Sequence, residues 1–356
     1  MDSGKAIMEI GNVAHALDWQ AAHAEKNGAP LTGRVVRAFN ALLAGDTQVA
    51  RRMRDWPGLS LEDAMPLRLA GGFHYLHLTG ADARLVPVYS GALVDQGAVD
   101  AVIVAVAQTH DAALLPWFDG PPQTNEAGRS AGIMAGLLWL SGRVGPRFDL
   151  NEIGASAGAN TMIDRYGYDL GGVRVGAMDS PVQIRPEWRG APPPRADVRI
   201  ERIAGCDLSP IDLTDPPAAL RLKSYVWAEV SERMDRLDAV VALARQQRPD
   251  LTRADAADWV EQRLAAPQAE GVCRVLYHSI VWQYIPPAGR ARISAAMAAA
   301  AARATPERPL AWVRLETNRQ TFRHELRVGH WTGRNSGEAF LGTAHAHGAW
   351  VEWTGG

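Results

Sequence analysis

A glycine-containing turn is the stretch of this sequence whose residue types could do chemistry. An apolar run that ends at Ile153 leads into Gly154, and Gly158 closes the turn before an expected helix. Glycines at such a place let the main chain bend sharply and approach a ligand, while N–H groups at the helix start face that ligand. The spacing Gly-x-Ser-x-Gly puts Ser156 where a dinucleotide-binding turn has its middle glycine. The turn therefore predicts either a bound ligand or a nucleophile.

Two chemistries fit this turn. In the first, Glu152 and the turn hold a nucleoside-bearing cofactor without phosphates. In the second, Ser156 is the nucleophile of a hydrolase elbow, which has the same order of strand, Gly-x-Ser-x-Gly and helix. Asp255 with His345 or His347 would complete such a hydrolase. A tight turn without any ligand is the third possibility.

Acidic residues after the following predicted strands favour the cofactor. A sheet that binds a nucleoside carries an acid at the end of the next strand, where it accepts hydrogen bonds from ribose hydroxyls. Asp207 stands at that place, and Asp179 is a rival at a more usual spacing. Asp255, after a third strand, could accept a hydrogen bond from the exocyclic amine of a purine. Capping of a turn or helix explains each of the three equally well.

A second polar segment follows the apolar run Val272–His278. Loops at the carboxyl ends of parallel strands are where open α/β sheets bind ligands. Because histidine titrates near neutrality, His278 could take a proton from an acceptor molecule. Trp282 and Tyr284 could line the acceptor pocket. A buried histidine with a purely structural hydrogen bond is the alternative.

The segment Pro121–Arg129 concentrates amides and charges just before the predicted sheet. Its Gln123, Asn125 and Glu126 offer hydrogen-bond donors and acceptors to a substrate. Arg129 could clamp a carboxylate. Ordinary capping of the helix that follows is the alternative.

The elements that must position these residues divide the chain in two. Residues 1–145 have the apolar spacings of helices, and residues 146–356 alternate strand-like with helix-like runs. That alternation predicts an α/β fold: a Rossmann-like, mostly parallel sheet with crossover helices, an antiparallel C-terminal strand and a helical N-terminal domain. A proline-rich surface insertion is expected at 171–197. The predicted strands are Phe148–Ile153, Arg199–Cys206, Leu251–Ala254, Val272–His278, Leu310–Leu315, His324–Val328 and Ala349–Trp353, and the predicted helices among them are Ala159–Tyr166, Ser231–Gln247, Ala257–Leu264 and Gly289–Ala304.

Composition argues against several classes of function. The formal net charge of −2, from 37 basic and 39 acidic residues, gives no electrostatic footprint for nucleic acid or an anionic membrane. Two cysteines make neither a disulfide scaffold nor a thiolate zinc site, and we expect no metal. The apolar stretches Ala131–Leu140 and Ile293–Ala304 are shorter than the roughly 20 residues of a bilayer span. With no signal-peptide pattern either, we expect a cytoplasmic protein that acts on a small molecule, its oligomeric state left open.

The ordered motifs of residues 147–353 resemble those of class I S-adenosylmethionine-dependent methyltransferases. The resemblance implies that Glu152, Gly154 and Gly158 lie against the methionine end of S-adenosylmethionine. It places Asp207 against the ribose, and Asp255 with Ala256 against the adenine. Ser156 stands within this cofactor turn where such enzymes often keep glycine. The motifs are Glu152-x-Gly154-x-x-x-Gly158, Gly205-x-Asp207, Asp255-Ala256 and Tyr277–Pro286.

The whole chain also resembles a bacterial family that is defined only as a domain of unknown function. That resemblance brings no established reaction with it. We therefore predict a methyltransferase with a small-molecule acceptor, and keep as alternatives the Ser156 hydrolase and a non-catalytic protein that binds an adenosyl ligand. The motifs shared with the family are Pro121–Arg129, Glu152–Gly158, Asp164–Tyr166, Gly205–Asp207 and His278–Tyr284.

Overall fold

The structure is a computed structural model that describes residues 12–59, 61 and 63–355. The chain divides into two compact units. The helical unit consists of Met1–Thr124 and Asp215–Asp235, and the sheet unit of Asn125–Thr214 and Arg236–Gly356. The first change of unit therefore falls at residue 124 rather than at the expected residue 145.

The helices, in chain order, are α1 (Val13–Lys26), α2 (Pro30–Leu43), α3 (Gln48–Arg54), α4 (Met65–Leu78), α5 (Val86–Tyr89), α6 (Gln96–Leu114), α7 (Ser130–Val144), α8 (Pro216–Ser224), α9 (Ser231–Gln246), α10 (Ala256–Ala265) and α11 (Pro287–Ala301). Helices α1 to α6 and α8 belong to the helical unit. From residue 236 onward, α9 belongs to the sheet unit, as do α7, α10 and α11.

The core of the helical unit follows from apolar spacing. In α2, Val35, Val36, Phe39 and Leu42 are buried, which is the stripe that their spacing of three and four residues predicts. The ring of Phe39 packs 5.4 Å from that of Phe73 on α4. Burial of such a stripe removes apolar surface from water and stabilises the helices together.

One helix in the described part of the chain, Gln96–Trp117, is long and apolar enough to cross a membrane by length and composition. Its Val99, Ile103 and Val106 are buried in the core of the helical unit. Because core helices pass the same test, this is weak evidence for a membrane span. The cytoplasmic location stays a prediction.

A nine-stranded sheet forms the centre of the sheet unit, in the order β5-β12-β11-β10-β9-β8-β1-β6-β7. The five neighbouring strands from β9 to β7 are parallel, and β9 to β12 form antiparallel pairs. The predicted α/β class with a mostly parallel sheet is confirmed. The strands are β1 (Arg147–Ile153), β2 (Gly167–Leu170), β3 (Val173–Gly176), β4 (Gln183–Ile184), β5 (Glu187–Arg189), β6 (Arg199–Asp207), β7 (Leu251–Arg253), β8 (Cys273–Ser279), β9 (Leu310–Thr317), β10 (His324–Trp331), β11 (Ser336–Ala344) and β12 (Trp350–Trp353).

Close packing of α7 on the sheet explains the position of the first unit boundary. A Cβ at Gly136 would lie 3.3 Å from the methyl groups of Val313 and Val328, on β9 and β10. The helix is buried from Ser130 to Leu140, so it belongs to the core of the sheet unit and not with the N-terminal helices.

Three segments differ from the sequence prediction. The expected helix Ala159–Tyr166 is a short 3-10 helix, Asn160–Arg165, because the hydroxyl of Tyr166 donates to the carbonyl of Ala159 as the chain turns into β2. The insertion at 171–197 adds β3 and β4 to the preceding β2 in a three-stranded sheet, β3-β2-β4, and supplies β5 to the large sheet. Strand β11 was not predicted, since its first half is mostly exposed and lacks an apolar alternation.

Candidate functional site

The glycine turn follows β1 and is fixed by the protein's own acceptors. The N–H of Ala155 donates to the carbonyl of Cys206 at 3.0 Å, and the N–H of Gly158 donates to the carbonyl of Ala155 at 2.8 Å. The N–H of Ser156 donates to Oδ2 of Asp207 at 2.9 Å. These backbone donors are therefore already engaged, which argues against a phosphate group bound at the turn.

Packing of neighbouring side chains accounts for both glycines of the turn. Gly154 and Gly158 have φ of +67° and +79°, which favour glycine. A Cβ at Gly154 would overlap the side chain of Val281, and a Cβ at Gly158 would lie 2.8 Å from Cγ of Pro249. The groups that approach these two glycines closely are thus side chains of the same unit.

Ser156 is the one non-glycine residue of the turn in the left-handed region, with φ of +53°. Its Oγ is buried and has no hydrogen-bond partner among the residues that the structure describes. A serine nucleophile needs a base within hydrogen-bond reach. Neither His345 nor His347 fills that role here, so the geometry gives the hydrolase alternative no support.

Glu152 lies on β1 as a buried carboxyl group, 2% exposed. The hydroxyl of Thr161 donates to its Oε2 at 2.7 Å, and the hydroxyl of Tyr277 lies 3.3 Å from the same atom. Burial raises the pKa of Glu152 to about 7, although these hydrogen bonds and the charge of Arg129 act in the opposite direction. Glu152 therefore ties the turn to β8, and its raised pKa keeps it protonated in mildly acidic solution.

Asn160, directly after the turn, was not singled out by the sequence prediction. Its carbonyl accepts a hydrogen bond from Tyr277 at 2.9 Å. Its side chain is 1% exposed, and neither its Oδ1 nor its Nδ2 has a partner within the described residues. A buried amide in this state costs about 1–3 kcal/mol for each unmet group, which makes Asn160 a candidate ligand contact beside the turn.

Of the two rival acids, only Asp207 ends a strand of the large sheet. It closes β6, the neighbour of β1, and its Oδ1 accepts the N–H of Ser209 at 2.8 Å. Asp179 lies exposed in a turn between β3 and β4. Asp255 is the N-cap of α10, where its Oδ1 accepts the N–H of Ala257 at 2.9 Å, and Ala256 begins that helix.

His278, at the carboxyl end of β8, is fully buried with both ring nitrogens engaged. Trp312 Nε1 donates to its Nε2 at 3.1 Å, and its Nδ1 lies 2.6 Å from Oε1 of Glu316. Because an indole N–H can only donate, Nε2 is an acceptor, and the ring is neutral with its proton on Nδ1. To serve as the predicted base, His278 would first have to lose the hydrogen bond from Trp312.

The two aromatic residues that follow β8 lie in different environments. Trp282 stacks on His278 with ring centroids 5.1 Å apart, and the backbone N–H of Trp282 donates to Oε2 of Glu316. Tyr284 is 72% exposed at the end of the short 3-10 helix Trp282–Tyr284. Sequence reasoning did not identify Trp312 or Glu316, because they lie on β9, more than 30 residues from His278.

Side chains of the polar segment that precedes α7 form hydrogen bonds to the glycine turn and to nearby carbonyl groups. Oδ1 of Asn125 accepts the N–H of Ala159 at 2.6 Å. Arg129 is buried, and its guanidinium donates to the carbonyls of Ala346 and Ser279 at 2.7 and 3.3 Å. The carboxyl group of Glu126 lies 3.7 Å from Nδ1 of His347, and Gln123 belongs to the helical unit.

Within the described residues, no group of three or more His, Cys, Asp or Glu side chains could hold a metal ion. The pair His345 and His347 lies with ring centroids 5.5 Å apart, and the N–H of His347 donates to Nδ1 of His345. Cys206 and Cys273 are free and buried.

No curated protein and no solved structure matched the chain. These comparisons therefore give the resemblance to methyltransferases no support. One family model, whose description is "Uncharacterized protein conserved in bacteria (DUF2332)", matches residues 14–353. The chain belongs to this bacterial family.

Proposed function

We propose that the sheet unit binds S-adenosylmethionine at the carboxyl edge of its parallel strands and transfers the methyl group to a small-molecule acceptor. The observation that carries the proposal is the strand order β7-β6-β1-β8-β9. After β1 the chain forms β2 to β5 and then pairs β6 with one side of β1; it later returns to pair β8 with the other side. Open α/β sheets bind ligands at such a switch point, outside the carboxyl ends of the strands.

The residues that the sequence prediction assigned to the cofactor lie at the ends of neighbouring strands of this order. Glu152 lies on β1 and the glycine turn follows it, Asp207 ends β6, and Asp255 follows β7. His278, the predicted base, lies near the end of β8. Because the four strands are parallel, these residues lie at one edge of the sheet. Asp207, at the end of the strand next to β1, stands where such sheets carry the acid that binds ribose hydroxyls.

The hydrogen-bonding groups at this edge fit an adenosyl ligand in two respects. Each carboxylate oxygen of Asp207 accepts one backbone N–H, which leaves lone pairs for two ribose hydroxyls. Ser156 Oγ and the amide of Asn160 are buried polar groups that lack partners in the described structure. We assign Asp207 to the ribose, Asp255 and Ala256 to the adenine, and the turn to the methionine end.

The protein's part in the reaction is mainly positional. When bound, S-adenosylmethionine supplies a methyl group on a positively charged sulfur, which is a good leaving group. Alignment of an acceptor and exclusion of water then suffice for transfer. Glu152 and Asn125 hold the turn in place, and His278 with Trp282 and Trp312 forms an aromatic wall at the end of β8.

Calorimetric titration of the full chain with S-adenosylmethionine and S-adenosylhomocysteine tests the proposal. We expect both to bind, and Asp207→Asn to weaken binding about 10-fold or more, since a hydrogen bond to a charged group contributes about 1.5–3 kcal/mol. Asp179→Asn, the matched control on the exposed turn, should bind like the wild type. Failure of both ligands to bind, or an unchanged affinity in Asp207→Asn, would contradict the proposal.

A second variant separates ligand binding from folding, because Asp207 also holds two backbone N–H groups. Asn is as good an N-cap as Asp, so Asp255→Asn should keep α10 intact while removing the carboxylate from the adenine end. We expect an unchanged thermal midpoint with weaker binding of S-adenosylhomocysteine. Equal affinity at equal stability would remove Asp255 from the site.

A binding protein without turnover is the second candidate, and the engaged nitrogens of His278 favour it. Such a protein would bind the adenosyl ligand as the methyltransferase does. Incubation with methyl-labelled S-adenosylmethionine and candidate acceptors distinguishes the two, because only the methyltransferase releases S-adenosylhomocysteine in proportion to acceptor.

A further inference from the structure

A cleft of about 440 Å³ lies beside the His278 cluster, which we define as His278, Trp282, Trp312 and Glu316. Its other lining residues include Arg314 on β9 and charged residues at alternate positions of β10. It is large enough for a small organic molecule. All of these residues belong to the sheet unit.

Two arginines that line the cleft indicate that its ligand is an anion. Arg314 and Arg327 are directly opposite each other on β9 and β10, and like charges in such a pair are unfavourable. Each has one carboxylate partner at 2.8 Å, Glu338 for Arg314 and Glu325 for Arg327. Nε of Arg314 is nevertheless buried without a hydrogen-bond partner in the described structure.

The charges around the cleft favour a single negative charge on the ligand. Glu316 and Glu325 also line the cleft, so a doubly charged phosphate would face two carboxylates. A carboxylate presents one charge and a flat pair of acceptors that suits a guanidinium edge.

The body of the ligand should be flat and apolar. Trp282 and Trp312 line the same cleft, with ring centroids 5.7 Å apart. The guanidinium of Arg314 lies over the ring of Trp312, 4.8 Å from its centroid. A ligand whose carboxylate meets Arg314 therefore has an indole surface beside it for its apolar part.

Each possible base in the cleft already accepts hydrogen bonds from other groups of the protein. Nε2 of His278 accepts from Trp312. Glu316 accepts from His278 and from two backbone N–H groups, and Glu325 accepts from Asn318 and Arg327. A hydroxyl or amine acceptor has to lose a proton during methylation, whereas a carboxylate has none to lose.

We propose that this cleft binds a small carboxylate with a flat apolar group, and that this carboxylate is the methyl acceptor of the function proposed above. The assignment of the acceptor rests on that function, but the binding of the carboxylate does not. In the transfer, a lone pair of the carboxylate oxygen forms the new bond to the methyl carbon as the carbon–sulfur bond breaks. The electron pair of that bond stays on sulfur, so the products are a methyl ester and a neutral thioether, and no proton moves.

Calorimetric titration without any adenosyl ligand tests the cleft. The probes are benzoate and 2-naphthoate, each compared with its neutral amide on the full chain. We expect at least one acid to bind, its amide to bind about tenfold more weakly or worse, and Arg314→Gln to lose a similar factor. Arg319→Gln, on the neighbouring exposed turn, is the matched control and should bind like the wild type. Absence of binding by both acids, equal binding of acid and amide, or unchanged binding in Arg314→Gln would overturn the proposal.

A second variant covers the case in which Arg314→Gln does not fold. Arg314→Lys keeps the charge opposite Glu338 but removes the Nε donor. The acid should therefore bind to this variant with an affinity severalfold lower than its affinity for the wild type. Acid binding equal to that of the wild type in this variant would overturn the role of Nε. If an acid binds but neither adenosyl ligand does, the cleft stands and the methyltransferase proposal fails. If S-adenosylhomocysteine binds but no acid does, the methyltransferase proposal stands and the cleft proposal fails.

Discussion

Replacement of Glu152 by Gln should change how the stability of the protein depends on pH. Burial raises the pKa of Glu152 from 4.5 to about 7 in the folded chain. The folded state thus binds this proton more tightly than the unfolded state does, so its contribution to stability is complete below pH 4.5 and is lost as the pH rises through about 7. At about 1.4 kcal/mol for each pH unit, the loss between pH 5 and pH 8 is about 2–3 kcal/mol. Glu152→Gln carries no titratable proton and should not show this loss.

Guanidinium unfolding of the full chain at pH 5 and pH 8, followed by far-ultraviolet circular dichroism, measures the effect. The free energy of unfolding of Glu152→Gln minus that of the wild type should be about 2–3 kcal/mol larger at pH 8 than at pH 5. If the two units unfold in separate steps, the step that this variant shifts is the one compared. A pH-independent difference, or a gain at pH 5 instead, would refute the assignment of a buried, protonated Glu152.

Glu187→Gln is the matched control for this experiment. Its hydrogen bond with Arg189 lowers the pKa of Glu187 below 4.5. Stability from this exposed pair is therefore lost only as the pH falls below 4.5, and the difference from the wild type should stay flat between pH 5 and pH 8.

Three further substitutions test the turn and the His278 cluster by denaturant unfolding. Ser156→Gly should stabilise the protein by roughly 0.5–1 kcal/mol, because it relieves a left-handed φ and removes a hydroxyl without a partner; a loss would contradict that. Gly154→Ala should cost about 2 kcal/mol or more through overlap with Val281, and adding Val281→Ala should recover part of the loss; strictly additive effects would disprove the contact. Trp312→Phe should cost about 1–3 kcal/mol because Nε2 of His278 loses its donor; a cost below 0.5 kcal/mol, roughly the effect of an ordinary surface change, would disprove that hydrogen bond.

Labelling with a fluorophosphonate probe checks the hydrolase alternative directly. Because Ser156 Oγ has no base within hydrogen-bond reach, we expect no adduct on this residue. A covalent adduct on Ser156 would reverse that conclusion.

Strands β1, β6 and β8 lie within a residue of their predicted bounds. Strand β8 is buried along its whole length, as expected of a mostly apolar run in the middle of a parallel sheet. Strands β1 and β6 also carry charged residues, and their apolar residues were enough to predict them. Strand β11 could not be predicted in the same way, since Gly337 and Gly342 interrupt it and its first residues face solvent. The short 3-10 helix after the turn depends on a tyrosine hydroxyl that only the fold brings to its carbonyl.

The candidate site was only partly predictable, because its decisive contacts join distant parts of the chain. The acids at strand ends follow from local sequence, and Asp207 does close β6. The partners of His278 are 34 and 38 residues away, and no local pattern identifies them. Glycine spacing is ambiguous for a different reason, because close packing against Val281 and Pro249 requires the same glycines as a close ligand.

A crystal structure of the full chain with S-adenosylhomocysteine is the most direct test of the binding site. We expect density for the adenosyl group beyond the ends of β1, β6 and β7, with the ribose hydroxyls within hydrogen-bond distance of the Asp207 carboxylate. Crystals that grow or soak at saturating ligand and show none at this edge, or show it bound elsewhere, would contradict the account.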